Sequence, residues 1–300
     1  MSLIVICGAT ATGKSDLAVA LAKEINAEIV NADSMQVYKG MDIGTAKLTV
    51  EERQGIPHHL IDVLEIKEEA NVSWYQNLAR NKIDELLAAG KSVVVVGGTG
   101  LYIKSILDDL NFPDTDPEVR QRISDEAEKL GNDVMHERLA KLDPAAAVAI
   151  PKENIRRVIR ALEVIELTGK PFTANLPRQE STKYPDAKQF GLVLDRENLD
   201  AKIDKRVEDM WAKGFAREVS MLMTKGLDEA TTAKMALGYK QIMDYLNGEC
   251  TEEFAKDETK RVSRAYARRQ ETWFSRDERI KWLAPDTLSA RLEKLLVSIN

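Results

Sequence analysis

Cysteine and histidine are both scarce in this 300-residue sequence. It contains two cysteines, Cys7 and Cys250, and three histidines. So few cysteines exclude a disulfide-stapled scaffold and a cysteine-rich zinc module. Two of the three histidines are the adjacent His58 and His59, and a histidine-based catalytic zinc site is not expected.

Long hydrophobic runs are also lacking. The longest strongly apolar segments, residues 3–7 and 93–96, have the length of strands, and none reaches the ~18 apolar residues that cross a bilayer. No basic segment precedes an apolar one at the N-terminus, as a secretory signal would require. We therefore expect a cytoplasmic protein without membrane contact, and its 44% hydrophobic residues suffice for a sizeable core.

Positive charge is not in excess, because the formal net charge is −6. Residues 259–276 depart from this balance with six basic side chains against one acidic one, a local charge of +5. Arg261, Arg264 and Arg268 are spaced so that they share one face of a helix. Two explanations stay open, a solvated helix face or a contact with nucleic acid.

Strands that alternate with helices predict an α/β fold with a parallel sheet. The run of valines at 93–96 is typical of a strand covered on both faces. Strands are predicted at residues 3–7, 28–32, 92–96, 190–194 and 281–283. Helices are predicted at residues 16–25, 74–89, 117–130, 133–142, 154–168, 200–213, 217–225, 239–247 and 251–274. In the last of these helices, Tyr266 and Trp273 share a face and are expected to pack on the core.

The pattern becomes helical and strand-poor after Pro113, with breaks at Gly131, Pro144 and Pro151. Residues 171–185 are a polar, proline-containing connector. We therefore predict a core formed by residues 1–113 and 189–300, interrupted by a helical insertion domain at residues 114–188.

A phosphate-binding loop of the form GxxxxGK[ST] follows the first predicted strand and opens a helix, the context that this motif requires. Its backbone N–H groups and the helix N-terminus would hold phosphate oxygens. Lys14 adds a positive charge, and the Ser15 hydroxyl is a candidate Mg²⁺ ligand. The motif predicts a P-loop core without identifying the phosphate compound, and it consists of Gly8, Ala9, Thr10, Ala11, Thr12, Gly13, Lys14 and Ser15.

Two further segments end at the same predicted sheet edge, where open α/β sheets bind their ligands. Asp33 follows the second strand, and it is expected either to face the ligand or to cap the next turn. A glycine-rich turn at residues 97–102 follows the valine strand, and its Thr99 is a candidate ligand donor.

Eight segments occur in the order found in bacterial tRNA dimethylallyltransferases, and the chain resembles that family over nearly its whole length. Ala9 and Thr12 stand where the family usually has proline and serine. The eight segments are GATATGKS, DSMQVY, DIGTAK, PHHL, GGTGLY, RRVIRALEV, GYK and RRQETWF.

The resemblance implies transfer of a dimethylallyl group from dimethylallyl diphosphate to N6 of the adenosine immediately 3′ of the tRNA anticodon, with Mg²⁺. The P-loop would bind the donor's diphosphate, Asp33 would act as general base, and Thr99 would hydrogen-bond in the substrate region. The target base would be flipped out of its stack. By the same resemblance, the residues that contact tRNA are Asp33, Ser34, Met35, Gln36, Thr99, Arg120, Arg156, Arg157 and Arg160.

The basic face formed by Arg261, Arg264 and Arg268 is expected to bind tRNA together with the arginines of the insertion. A monomer is expected. Two other functions stay open: an ATP-dependent P-loop kinase in which Asp33 binds the acceptor hydroxyl of a small metabolite, and a non-enzymatic RNA-binding protein with a structural nucleotide site.

Overall fold

The computed structural model describes residues 1–175 and 182–299, and the described chain forms two compact units. The first unit combines Met1–Leu107 with the chain from Tyr184 onward, and the second is Asp108–Lys183. The sequence placed these boundaries at 113/114 and 188/189. Residues 176–181 of the predicted connector lie outside the described residues.

The first unit is built on one parallel sheet. Its strand order is β3-β2-β4-β1-β5-β6, so β1 lies between β4 and β5. Because every pairing is parallel, the carboxyl ends of the strands share one edge. The strands are β1 (Leu3–Gly8), β2 (Ala27–Asn31), β3 (His58–His59), β4 (Ser92–Val96), β5 (Lys188–Leu192) and β6 (Ile280–Leu283).

Every predicted helix is present, with ends shifted by a few residues, and α3, α5 and α11 are additions. The helices are α1 (Lys14–Glu24), α2 (Val72–Ala88), α3 (Gly100–Leu107), α4 (Pro117–Leu142), α5 (Pro144–Ala149), α6 (Ile155–Thr168), α7 (Arg196–Ala212), α8 (Phe215–Met223), α9 (Tyr239–Leu246), α10 (Glu252–Phe274) and α11 (Leu288–Ile299). No helix in the described ranges is long and apolar enough to cross a membrane.

Strand β1 shows why the valine- and isoleucine-rich runs form a central sheet. Leu3 and Val5 pack with side chains of α2 and α3 on one face of the sheet. Ile4 and Ile6 pack with α1 and α11 on the other face. Each of these side chains is at most 5% exposed, and burying one contributes roughly 1.5–3 kcal/mol. Both faces are covered, which explains the absence of polar alternation.

The second unit has a helical core of its own, in which α4 and α6 bury Ile123, Leu139 and Val158. Asp116 caps α4 by accepting hydrogen bonds from the backbone N–H groups of the first turn. Gly131 has a φ of 81° and interrupts the helical conformation within α4, so the predicted break is confirmed, with a helical segment on either side of it.

Candidate active site

A cavity of about 340 Å³ lies at the carboxyl edge of the sheet. The segments that follow β1, β2 and β4 all contribute to its wall, as does α10. Residues of the cavity wall include Lys14, Ser15, Asp33, Ser34, Met35, Gln36, Gly97, Gly98, Arg206, Tyr266, Arg269 and Gln270. The P-loop and Asp33, which the sequence assigned to one edge, are thus brought together.

The P-loop takes its shape from backbone conformations that glycine favours. Gly8 and Gly13 have φ of 134° and 88°. A Cβ on Gly8 would also lie 2.7 Å from the Leu192 carbonyl oxygen. Ala9 and Thr12 are each 1% exposed, and the Thr12 hydroxyl donates to the Ala9 carbonyl at 2.8 Å. The two departures from the family pattern are therefore side chains packed beneath the loop.

Gln270 joins the P-loop to the glycine-rich turn. Its Oε1 accepts the Thr10 N–H at 2.8 Å, and its Nε2 donates to the Gly98 carbonyl at 2.8 Å. A Cβ on Gly98 would lie 2.3 Å from Nε2, so a larger residue there would displace the amide that makes these two hydrogen bonds. On another side of the loop, the buried Arg291 donates to the Thr12 carbonyl at 3.1 Å. Neither side chain carries a role that the sequence alone predicts.

Of the three cations that line the cavity, Lys14 and Arg206 are partly withdrawn from solvent, whereas Arg269 is exposed. Burial is the main cause that lowers the pKa of Lys14 to about 8, and the nearby positive charge of Arg206 contributes. Burial also lowers the pKa of Arg206. Within the described ranges, neither side chain has a carboxylate oxygen within 4.0 Å. A cavity that holds two such cations is suited to a strongly anionic ligand.

Asp33 both caps a turn and lines the cavity. Its Oδ1 accepts the backbone N–H groups of Met35 at 2.9 Å and Gln36 at 3.4 Å. Asn31 Oδ1 in turn accepts the Asp33 N–H at 3.0 Å. The described residues provide no hydrogen bond to the second carboxylate oxygen, Oδ2. The two roles that the sequence left open do not exclude each other, because the capping hydrogen bonds use only Oδ1.

Thr99 supports the turn that bears Asp33. Its Oγ1 accepts the Ser34 N–H at 3.0 Å, and Thr99 is not part of the cavity wall. Ser34, Met35 and Gln36 do line the cavity, and Gln36 Nε2 donates to the Thr45 carbonyl at 3.1 Å.

Tyr266 lines the cavity, so the prediction that it packs on the core is wrong. Its face of α10 lies at the carboxyl edge of the sheet, where the cavity is. Burial first, and then the Asp33 charge, raise the pKa of Tyr266 to about 12. Arg269 Cζ lies 5.6 Å from the centre of the Tyr266 ring. Trp273 is 42% exposed, although its ring covers Gly100.

The basic face of α10 is matched by carboxylates. Arg264 forms an ion pair with Asp204, and Arg268 Nη2 lies 3.5 Å from Asp200. Both partners belong to α7. Arg261 pairs with Glu258 of its own helix at 2.6 Å. The positive charge counted in the sequence is therefore largely compensated inside the first unit.

The arginines of the second unit are of two kinds. Arg120 and Arg160 share the carboxylate of Glu163, whose side chain is fully buried, with N–O distances of 2.9 and 3.0 Å. Arg156 and Arg157 are exposed, and neither guanidinium has an ion pair or hydrogen bond among the described residues.

Comparison with known proteins gives consistent results. The family model described as IPP transferase matches residues 36–277. The tRNA dimethylallyltransferase of Streptomyces griseus is 54% identical, over 94% of this chain and 89% of that protein. The enzyme of the same name from Thermobifida fusca is 55% identical, over 95% of this chain and 91% of its own length.

Solved structures are similar over the same extent. The tRNA isopentenylpyrophosphate transferase of Bacillus halodurans has a TM-score of 0.73 at 39% identity, covering 99% of this chain and 96% of that one. A eukaryotic dimethylallyltransferase, described as acting on tRNA, has a TM-score of 0.82 at 30% identity, covering 96% and 75%. These neighbours share the P-loop NTPase-like α/β fold. With a match over most of its length to the family model and to relatives of one name, the chain belongs to the IPP transferase family.

Proposed function

We propose that this protein is a tRNA dimethylallyltransferase, which moves a dimethylallyl group from dimethylallyl diphosphate to N6 of the adenosine immediately 3′ of the anticodon. The observation that carries the proposal is the cavity itself. It places two cations without carboxylate partners beside a P-loop and includes a carboxylate with one free oxygen. The proposed site of action is the cytoplasm, where a tRNA-modifying enzyme meets its substrate.

The P-loop, Lys14 and Arg206 hold the donor's diphosphate in this proposal. The reaction breaks the bond between the allylic carbon and the diphosphate oxygen, and the electron pair leaves with the diphosphate. Positive groups already in place stabilise that charge as it develops, without reorganisation of solvent. The new bond joins the same allylic carbon to N6.

Magnesium is a further part of the proposal. The Ser15 hydroxyl lies at the start of α1 and lines the cavity. One hydroxyl, diphosphate oxygens and water form the oxygen-rich ligand set that Mg²⁺ prefers. The described residues hold no cluster of three or more metal-binding side chains, which fits an ion bound mainly through the substrate. When bound, Mg²⁺ would neutralise charge on the leaving diphosphate.

Asp33 is the proposed general base, acting through Oδ2. Because Oδ1 is held by two backbone N–H groups, the carboxylate has a fixed orientation. N6 is a weak nucleophile until its proton is removed, so a carboxylate within hydrogen-bond reach accelerates the attack. The proton passes from N6 to Oδ2 as the new carbon–nitrogen bond forms.

The tRNA contacts are proposed in two groups. Ser34, Met35 and Gln36 surround the flipped adenosine, with Thr99 fixing their turn. The basic side chains proposed to contact the anticodon arm are, in the second unit, Arg120, Arg156, Arg157 and Arg160 and, in the first, Arg261, Arg264 and Arg268. Contacts of this kind bind phosphates and position the RNA, whereas the cavity selects the base.

The direct test is incubation with labelled dimethylallyl diphosphate, Mg²⁺ and unmodified tRNA, followed by nucleoside analysis. Asp33→Asn keeps the side chain's shape and the Oδ1 cap but removes the basicity. We expect its single-turnover rate to fall by at least about 10²-fold, with donor and tRNA affinities much less changed. A near-wild-type rate at saturating substrates would leave Asp33 with the turn-capping role alone.

The kinase alternative receives no support from the comparisons, and it predicts ATP hydrolysis stimulated by a small acceptor. A non-enzymatic RNA-binding protein would bind tRNA tightly and give no prenylated nucleoside. The transfer assay and an ATP turnover assay on the same preparation separate these functions.

A further inference from the structure

The carboxylate of Glu218, on α8, holds the backbone of the DIGTAK segment. Its Oε2 accepts the N–H groups of Asp42 at 3.0 Å and Ile43 at 2.6 Å, and its Oε1 accepts the N–H of Gly44 at 3.1 Å. Three consecutive N–H groups thus converge on one carboxylate. Glu218 itself is not part of the cavity wall, whereas Gly44 is.

Tyr239 of the GYK segment completes this arrangement. Its hydroxyl donates to Glu218 Oε1 at 2.7 Å. Burial, followed by the Glu218 charge, raises the pKa of Tyr239 well above its usual value, so the hydroxyl remains a donor at neutral pH. The DIGTAK and GYK segments, which the transfer mechanism leaves without a role, therefore meet at one carboxylate.

The space around this carboxylate requires the glycine of DIGTAK. A Cβ on Gly44 would lie 2.3 Å from the Phe215 ring and 2.5 Å from the Tyr239 ring. At the far end of the segment, Lys47 pairs with Asp42 at 2.7 Å and with Asp62 at 2.6 Å. The loop is therefore fixed at both ends and packed closely in the middle.

Thr45 belongs to the part of this loop that lines the cavity, and its carbonyl oxygen contacts two side chains. This oxygen accepts hydrogen bonds from Gln36 Nε2 at 3.1 Å and from Arg206 Nη2 at 3.4 Å. Arg206 has no other hydrogen bond or ion pair among the described residues. One backbone carbonyl thus contacts both the Arg206 guanidinium and the side-chain amide of Gln36, which lies on the turn that Asp33 caps.

We propose that Glu218 is a positioning residue, which fixes residues 42–45 so that the Thr45 carbonyl holds Arg206 in place for the donor's diphosphate. The inference rests on the proposed function, since it assumes that the cavity binds a diphosphate. A side chain outside the cavity can act in this way because small displacements of a binding group have large effects on a charged, oriented ligand.

The test uses Glu218→Gln, which retains the side chain's size but turns an N–H₂ group toward backbone donors. Calorimetric titration with inorganic diphosphate should give a dissociation constant about tenfold higher than wild type, the effect of one misplaced charged hydrogen bond. The same substitution in an Arg206→Met background should raise the dissociation constant less than about twofold, because sites that act through one another are not additive.

The double-variant comparison separates positioning from general stabilisation. If Glu218 only stabilised the fold, Glu218→Gln would lower the melting temperature and raise the dissociation constant for diphosphate by the same factor with Arg206 present or replaced. That result would overturn the inference. Failure of the wild type to bind diphosphate would instead overturn the proposed function together with the inference.

Glu218→Asp, which retains the charge on a shorter side chain, replaces the glutamine variant if the latter does not fold. It should show the same dependence on Arg206 with a smaller fold-change. Glu229→Gln is the matched control, because Glu229 forms an exposed pair with Lys67 at 2.6 Å and should leave diphosphate binding unchanged. Loss of binding in this control would assign the effect to overall charge and overturn the inference.

Discussion

Lys14 and Arg206 in the cavity have electrostatic environments opposite to those of Arg264 and Arg268 on α10. Lys14 and Arg206 are brought into the site without a carboxylate partner, whereas Arg264 and Arg268 each face a carboxylate of α7. An unpartnered, desolvated cation is unfavourable until an anion binds, so its position indicates ligand binding. A paired cation on the surface changes the free energy of folding only a little, so its position does not indicate a ligand. A local charge count from sequence does not distinguish these two cases.

The largest effect is expected from removing a cavity cation. Lys14→Met should weaken inorganic diphosphate binding by about 10²-fold, since it deletes a charged donor that lines the cavity. Lys67→Met is the matched control on an exposed pair and should change affinity less than about twofold. Calorimetric titration of both variants with inorganic diphosphate gives the two dissociation constants. An equal increase in both would contradict the distinction between cavity cations and paired surface cations.

The same lysine should give donor binding a characteristic pH dependence. Its pKa is lowered to about 8 by burial, and only the protonated form favours the diphosphate. Affinity for diphosphate should therefore be retained near pH 7 and fall about tenfold as the pH rises to about 9. In Lys14→Arg, which stays charged throughout, affinity should be nearly constant over this range. A wild-type curve that is equally flat would contradict the prediction.

The exposed arginines of the second unit should have an intermediate effect. Arg156→Gln combined with Arg157→Gln should lower tRNA affinity about tenfold and reduce the slope of log affinity against log salt by about 1 per lost phosphate contact. Donor binding should not change. Arg122→Gln is the control, because Arg122 is already paired with Glu126 at 2.9 Å. Filter binding over a range of salt concentrations gives both quantities.

The smallest effect is expected on α10. Arg264→Gln combined with Arg268→Gln should weaken tRNA binding only about twofold to threefold, because carboxylates of α7 already offset most of the charge. The converse change, Asp200→Asn with Asp204→Asn, should strengthen tRNA binding and steepen its salt dependence. If neither pair of substitutions alters tRNA affinity, this face does not contact tRNA.

The sequence predicts best those parts of the site that a local segment of the chain encodes. The P-loop and Asp33 are encoded locally, by a motif or by position directly after a strand, and the structure places both at the cavity. Arg206 has no such signal, because it is one of several charged residues in a polar helix and only the fold brings it to the site. Gln270 is visible within a motif, but its two hydrogen bonds join segments that are distant in the chain.

Some elements were missed for equally physical reasons. β3 has two residues, His58 and His59, too few to show any alternation. The glycine-rich turn does line the cavity, through Gly97 and Gly98, but the need for glycine at position 97 has a second cause, because a Cβ there would lie 2.2 Å from the Ala32 carbonyl oxygen. Close packing of this kind depends on tertiary neighbours that no local pattern identifies.

The link between Gln270 and Thr10 also has a consequence for how the protein is made. The phosphate loop is synthesised among the first residues, yet one of its backbone N–H groups is held by an amide 260 residues later in the chain. Bringing together two segments so distant in the chain carries a larger loop-closure entropy cost than a local contact does. During translation, therefore, the loop emerges from the ribosome long before this support exists. The complete set of hydrogen bonds that shapes the phosphate loop is therefore expected only after α10 has been synthesised.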